Sequence, residues 1–365
     1  MKAKIIGSGL FLPPFVMSNE NLAQIFPTGK FPEFNQPDLD WNEQWIENKL
    51  GIKERRFAFD FNKGVMRNGY YDLDMGEKAA RQALQDADIG IEKIDVIIYL
   101  TSTPEYFMPD PACMLHLRLG AKKDTAAFAL TSVGCGGFIY GMNLANSLIV
   151  SSKAKTVLLV ASISTSAYAA SYYEPTITPE RKKQLMVRDR INASIFGDGA
   201  GAMILKKAHS LSRSGIIGTY WGATGKDNPV IFEGGGSRHP ATIKSVLNGI
   251  HFFNMDTKLV KSNGPALFER TMVKILKSTW TRIKDVDYFI FHQINYKLLR
   301  AIAEKINIPI EKMAVHVDRY GNLDTATLAI GFHEAKQANK IKKGDLVLFV
   351  AIGAGWQYGS ALVRL

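Results

Sequence analysis

Three side chains in this sequence are suited to acyl chemistry, and each stands where the backbone changes structure. Cys135 lies in TSVGCGGFIYG, residues 131–141, beside Gly134, Gly136 and Gly137. His292 follows the apolar run YFIF and opens HQIN, and Asn322 stands in RYGNLD. A thiol supplies a nucleophile, while an imidazole and a carboxamide supply hydrogen bonds to developing negative charge. Each type also has a plainer role. A cysteine taken alone is more often a small buried hydrophobe, a lone histidine a satisfied structural group, and a turn asparagine a left-handed residue. Position sharpens the chemical reading. The run FIYGMNLANSLIV overlaps and follows the cysteine turn, so Cys135 falls at a helix start, where the dipole and free N–H groups favour thiolate. The glycines let a substrate approach without a Cβ clash. Cys113, in DPACMLHLRLG, is expected only to pack on an amphipathic helix.

The elements that hold these residues come from a duplication. Residues 75–100, MGEKAARQALQDADIGIEKIDVIIYL, align without a gap on residues 267–292, LFERTMVKILKSTWTRIKDVDYFIFH, at a shift of 192. Glu77 falls on Glu269, Leu84 on Leu276, Ile94 on Val286 and Asp95 on Asp287. Each copy reads as an amphipathic helix, a short loop and a strand buried on both faces. KTVLLVAS at 155–162 resembles GDLVLFVAIG at 344–353, and a glycine-bearing turn and helix precede each. The pattern predicts two α/β halves, 1–207 and 208–365, about a pseudo-two-fold axis, with a site at their junction. Cys135 and Asn322 then hold near-equivalent places. His292 matches Leu100, a polar residue at a strand end, where α/β folds bind ligands.

Composition bounds the rest. The chain has 365 residues, 46% hydrophobic and 22% charged, which suits a globular protein with a large core. No run reaches membrane-span length, and MKAKIIGSGLFLPP reads as a first strand and turn rather than a signal peptide. Two cysteines argue against a disulfide framework and point to a reducing, cytoplasmic setting. The 45 Lys and Arg against 34 Asp and Glu give a net charge of +11, which suits solubility or an acidic partner. No basic stripe interleaves with aromatics, so nucleic acid is disfavoured, and ERKKQLMVRDR at 180–190 reads as a solvated face. His116, His251, His316 and His333 have no metal-ligand spacing with Cys or Asp. IIGSGLFLPP, FGDGAGAMILKK and IGAGWQYGSALVRL each fail the dinucleotide fingerprint and read as tight turns near a pocket, where bare N–H groups meet a ligand.

KIIGSGLFLP, QWIENKLGIKERRFA, GCGGF, IFGDGAGAMIL, FHQIN, YGN and GSALVRL occur in that order. Together they make the chain resemble the β-ketoacyl-acyl carrier protein synthase III family of the thiolase superfamily. The resemblance implies an α/β, thiolase-like fold of duplicated halves layered α-β-α-β-α. It implies Cys135 as the acyl-accepting nucleophile, with His292 and Asn322 completing a triad. The N–H groups of Cys135 and Gly355 would form the oxyanion hole. Trp45, Lys49 and Arg190 resemble positions that hold the nucleotide part of coenzyme A, with Lys49 in place of the usual arginine. Phe107 and Met108, in TPEYFMPDPAC, match a loop that lines the partner subunit's acyl pocket in a homodimer. Lys297 resembles a docking position for the acidic acyl carrier protein. Acyl-CoA or acyl-carrier thioesters are the implied substrates, with no tightly bound cofactor, no metal, no nucleic acid and no membrane insertion.

The implied reaction is a decarboxylating condensation of an acyl group on Cys135 with a malonyl- or β-ketoacyl-type thioester, in fatty-acid priming or specialised lipid or polyketide synthesis. An ester- or amide-forming acyltransferase and a Cys/His thioester hydrolase stand as alternatives. Three departures from the family pattern carry expectations of their own. Loop-like insertions fall at QIFPTGKFPEFNQPDLDWNEQ and at residues 162–187. Glycines on both sides of Cys135 suggest room for a bulkier acyl group. Met108 before Pro109 counts against the glutamate-base chemistry of long-chain relatives, although Glu105 is near.

Overall fold

A computed structural model of the protein describes residues 2–25, 42–173, 194–225, 230–232, 234–247 and 253–365. Arg190, His251 and the 180–190 basic cluster lie outside the described residues, as do parts of both expected insertions.

The first half builds a five-stranded sheet. Its elements are β1 (Ala3–Phe11), α1 (Glu43–Leu50), α2 (Asp72–Asp86), β2 (Val96–Thr101), α3 (Pro111–Leu119), β3 (Ala126–Thr131), α4 (Gly137–Val150), β4 (Thr156–Ile163) and β5 (Gly199–Lys207). The second half supplies β6 (Gly215–Ala223), α5 (Thr257–Ser278), β7 (Tyr288–Phe291), α6 (Tyr296–Lys305), α7 (Thr327–Gln337), β8 (Leu346–Ile352) and β9 (Gln357–Arg364). The strand orders are β1-β5-β4-β2-β3 and β6-β9-β8-β7. Both sheets carry a parallel pair (β2 with β4, β7 with β8) followed on one side by antiparallel strands, but in the first sheet that pair is internal, flanked by parallel β3, whereas β7 ends the second sheet. Each outermost antiparallel pair carries one bulge, between Ile5 and Gly7 and between Ile216 and Gly218. A single parallel bridge, Phe289 to Met313, occupies the place beside β7 that β3 holds beside β2.

The aligned aspartates do the same work. Asp95 Oδ2 accepts the N–H of Thr156 at 3.0 Å, and Asp287 Oδ2 accepts that of Leu346 at 2.8 Å. Each carboxylate ties the start of one central strand to the start of its parallel neighbour, which sets the register.

The sheets stack through a shared helical layer. Phe138, Ile139, Met142 and Ile149 of α4, with Leu328, Ile330 and Phe332 of α7, lie in one core with inward residues of both sheets. Outside sheet one, α2 and α3 cover Ile97, Tyr99, Leu158 and Val160. Outside sheet two, α5 and α6 cover Phe289, Phe291, Leu348 and Val350. The result is the expected α-β-α-β-α layering. It explains why VIIYLT and LVLFVAI are apolar throughout, since each is buried along its whole length between two helical layers.

Two local expectations fail. Residues 165–173, read as loop, form the helix Thr165–Tyr173. Cys113 is exposed rather than packed, its Sγ reaching only the Ala127 carbonyl at 3.8 Å, because α3 turns that face outward.

Candidate active site

Cys135 sits in a short 3-10 turn, Gly134–Gly136, between β3 and α4. Asn322 precedes a matching turn, Asp324–Ala326, that leads into α7. The two turns therefore bring α4 and α7 into the middle layer with their N-termini together, at the half-to-half junction. In this pairing the turn residue matching Cys135 is Thr325, three beyond Asn322. His292 follows β7, its backbone N–H donating to Val350 O at 2.8 Å.

All three open into one cavity of about 620 Å³, lined also by Ser102, Phe107, Asp324, Gly355 and Phe196. His292 is 3% exposed, and neither ring nitrogen has a hydrogen-bond partner among the described residues. Burial pushes its pKa down to about 3, so the imidazole is neutral at physiological pH and carries one N–H to donate. The Asn322 Oδ1 accepts the Asp324 N–H at 2.8 Å, which turns the amide nitrogen toward the thiol it also faces.

The motif FHQIN now resolves into separate tasks. Gln293 Oε1 accepts the N–H groups of His316 and Val317, both at 3.0 Å, and its Nε2 donates to Ala314 O at 2.9 Å. It thereby fastens the strand end carrying His292 to the chain that leads to Asn322. Asn295 caps α6, accepting the Leu298 N–H at 2.8 Å. Asn322 is held on its other side by residues of IFGDGAG: its N–H donates to Ile195 O at 2.7 Å and its carbonyl accepts from Gly197 N at 3.1 Å. A Cβ on Gly197 would meet Tyr320 O at 2.0 Å. The glycine thus permits close chain packing rather than ligand contact, which corrects the sequence reading of that motif.

The glycines around Cys135 receive a similar correction. Gly134 has φ +56, and a Cβ there would meet Ala354 at 3.1 Å, while one on Gly136 would meet Gln357 O at 3.2 Å. These bare faces admit the 353–357 segment, not a wider acyl group. Gly353 approaches closest: its Cβ would stand 2.5 Å from Gly136 N and 2.9 Å from Cys135 N. Gly355, at φ +67, completes this segment in the cavity wall.

The thiol itself departs from expectation. Burial first, and then the Asp324 carboxyl, push the Cys135 pKa well above its ordinary value, while Asn322 and the backbone pull it down less. The helix start does favour thiolate, but desolvation and a neighbouring acid outweigh it. Asp324 was not singled out from sequence. Its signal is the duplication, since a shift of 190 sets it on Gly134, beside Cys135.

The remaining expected residues lie apart from the thiol. Trp45 is half-buried on α1, against the same apolar cluster as Phe196, Phe253 and Val260 of the cavity wall. Lys49 stands over its ring, 6.0 Å from the centroid. Lys297 is exposed on α6, next to Tyr296, which packs against Gly51 at the end of α1. Phe107 is at the cavity rim and 91% exposed, and Met108 beside it is 86% exposed and outside the cavity lining. Glu105 accepts the Leu73 N–H at 2.9 Å, capping α2. It is not among the cavity-lining residues.

A thiol at one central helix start, and a neutral imidazole and a carboxamide facing the same cavity, suit the chemistry of a thiolase-like condensing acyltransferase. Comparison with known proteins gives the family. Residues 131–225 match the family model 3-oxoacyl-(acyl-carrier-protein) synthase III, and residues 276–365 match its C-terminal counterpart. Beta-ketoacyl-(acyl-carrier-protein) synthase III of Rickettsia bellii is 33% identical over 366 residues, covering 100% of both chains. The crystal structure of 3-oxoacyl-(acyl-carrier-protein) synthase III from Aquifex aeolicus superposes with a TM-score of 0.78 at 30% identity, covering 100% of both chains. Another 3-oxoacyl-(acyl-carrier-protein) synthase III structure gives 0.84 at 26%, also covering 100% of both. The chain belongs to the 3-oxoacyl-(acyl-carrier-protein) synthase III family.

Proposed function

We propose that this chain condenses an acyl group, held as a thioester on Cys135, with a malonyl-type carrier thioester to give a β-ketoacyl thioester. The observation that carries this reading is the neutral, unpartnered His292 facing the same cavity as Cys135 and Asn322. Acyl transfer to Cys135 passes through a tetrahedral oxyanion, for which the N–H groups of Cys135 and Gly355 are the proposed donors. The first thiol then leaves. The second substrate loses CO₂, and its electron pair becomes an enolate. Neutral His292 and the Asn322 amide each donate a hydrogen bond to the enolate oxygen. No base is needed, because bond cleavage to CO₂ itself generates the carbon nucleophile. The enolate attacks the acyl carbon, and Cys135 departs and takes up one proton.

Around this centre we place acyl-CoA and an acidic acyl carrier protein as substrates. Trp45 and Lys49 are proposed for the nucleotide, and exposed Lys297 for the carrier. A homodimer is supported by the exposed Phe107 and Met108 and by β3, an edge strand exposed at both ends. In that assembly the 102–108 loop would reach a partner's acyl pocket, and halves 1–207 and 208–365 would act as one unit. Among the described residues no helix is long and apolar enough to cross a membrane.

The test loads the protein from a panel of acyl-CoA and acyl-carrier donors, reads the adduct by intact mass, then adds malonyl carrier and identifies the product. A β-ketoacyl thioester with release of CO₂ supports the proposal. An ester, an amide or free acid, with no dependence on malonyl carrier, would replace it with one of the alternatives.

A further inference from the structure

Condensation leaves one buried acid without a role. Asp324 is 6% exposed, lines the cavity and has a backbone φ of +44, a conformation costly for a residue with a side chain. Among the described residues no donor stands in full hydrogen-bond geometry to its Oδ1. Burying a carboxyl oxygen unpaired is unfavourable unless a substrate or reacting group completes it. Burial pushes the Asp324 pKa above the ordinary carboxylate value, and the Ser102 hydroxyl, the Cys135 thiol and the Thr325 N–H, with no cation among them, pull it back down. Among the described residues, His292, Tyr106 and Tyr168 are the other titratable groups that line this cavity. The 3-10 turns carrying Cys135 and Asp324 pack together, a Cβ on Gly137 meeting Thr325 at 3.1 Å, so the pair is held by both central helices.

Resting on the condensing-enzyme reading, we infer that Asp324 is the catalytic base for acyl loading of Cys135. As Sγ attacks the thioester carbonyl, the S–H bond breaks and its proton passes to the Asp324 carboxylate. The tetrahedral intermediate collapses, the bond from carbon to the donor sulfur breaks, and the proton moves from Asp324 to the departing thiolate. The exchange is then proton-neutral. This assigns separate groups to the two stages: Asp324 to loading, His292 and Asn322 to the enolate. It also resolves a conflict in the site. A carboxylate beside a nucleophilic cysteine opposes a standing thiolate, and taking up the thiol proton during attack removes that opposition.

The two roles of an acid here, base or mere electrostatic brake, predict opposite changes on neutralising it. Single-turnover loading of wild type, Asp324→Asn and Asp324→Glu is followed by intact mass from pH 5 to 9. Condensation is measured separately on enzyme already loaded. As a base, Asp324→Asn slows loading at pH 7 by about 10²-fold or more. Its rate then climbs tenfold per pH unit as thiolate forms, whereas wild type levels off once Asp324 is ionised. Asp324→Glu recovers part of the rate, which a simple loss of folding in Asp324→Asn would not allow to be mistaken for a catalytic effect. Loading in Asp324→Asn that is unchanged or faster at pH 7 overturns the inference and leaves the condensing reading intact. Wild type that takes no acyl group from any thioester overturns both.

Discussion

Replacing Gly353 by alanine tests whether the cysteine turn is as tightly held as the distances say. Gly353 has φ −148 and ψ −172, an extended conformation that alanine adopts freely, so any effect is steric. Its Cβ would lie 2.5 Å from Gly136 N and 2.9 Å from Cys135 N, where ordinary contact begins at 3.4 Å. Both obstacles are backbone atoms, so no side chain can rotate away. Gly353 cannot retreat easily either, because its N–H donates to Gln357 O at 2.7 Å. The chains must part by about 0.9 Å at the closest point, the difference between those contacts. Overpacking of this kind costs about 1–3 kcal/mol. A displacement near 1 Å at a reacting centre lowers rate by about 10²-fold. The assay pairs thermal or urea unfolding with acyl loading by intact mass. Gly344→Ala is the control: nothing lies within 4 Å of its Cβ, and its φ of +97 adds backbone strain far from the site. Gly344→Ala is expected to lose stability but not loading rate per folded molecule. A Gly353→Ala protein that loads at the wild-type rate and unfolds at the wild-type midpoint would refute the argument.

Other outcomes follow from the same geometry. Cys135→Ala should gain no acyl mass from any thioester, and an adduct on that variant would remove the thiol from its role. His292→Ala and Asn322→Ala should load but condense about 10²–10³-fold more slowly, measured on preloaded enzyme. Because His292 is already neutral, with its pKa near 3, wild-type condensation should show no histidine inflection near 6.5. An inflection there that disappears in His292→Gln would contradict the buried neutral imidazole. The same burial has a stability consequence. The folded value lies below the unfolded one, so His292 and His316 contribute fully above about pH 6.5 and destabilise as pH falls from there toward 3. Urea midpoints between pH 7 and 5 check it, and a His316→Asn variant should flatten the fall. Gln293→Ala strands two N–H groups and should cost about 1–3 kcal/mol, with condensation impaired more than loading. Equal loss in both steps would mean that Gln293 does not tie His292 to the Asn322 strand.

Much of the fold was legible because duplication wrote it twice. An ungapped helix-loop-strand repeat is long enough to carry both the 3.6-residue and the buried-strand patterns. The Asp95–Asp287 match, noted in sequence only as an alignment, corresponds in the folded chain to a pair of equivalent register bonds. The three residues that share the cavity stood out for a related reason, since each breaks a local pattern: a thiol among glycines, a histidine after an apolar strand, an asparagine in a turn. Loops were read less well. Residues 165–173 have no strong amphipathic stripe, and their helix forms against the cavity wall rather than from its own periodicity. The exposure of Cys113 depended on how far α3 rotates on the sheet, which a single amphipathic run does not fix.

By itself the sequence determined the repeated α/β pattern, the family, and the choice of Cys135, His292 and Asn322 as candidates. These are properties of local pattern and residue type, and they survive in one dimension. Tertiary structure alone decided what each group feels. The protonation of Cys135 and His292 depends on desolvation and on an acid 189 positions along the chain from the thiol, brought beside it by the packing of two helix starts. The glycines that read as substrate access are the faces on which the 353–357 segment rests. Electrostatics and close contact act through space, so only the folded chain could say that Cys135 begins as a thiol with a carboxyl beside it.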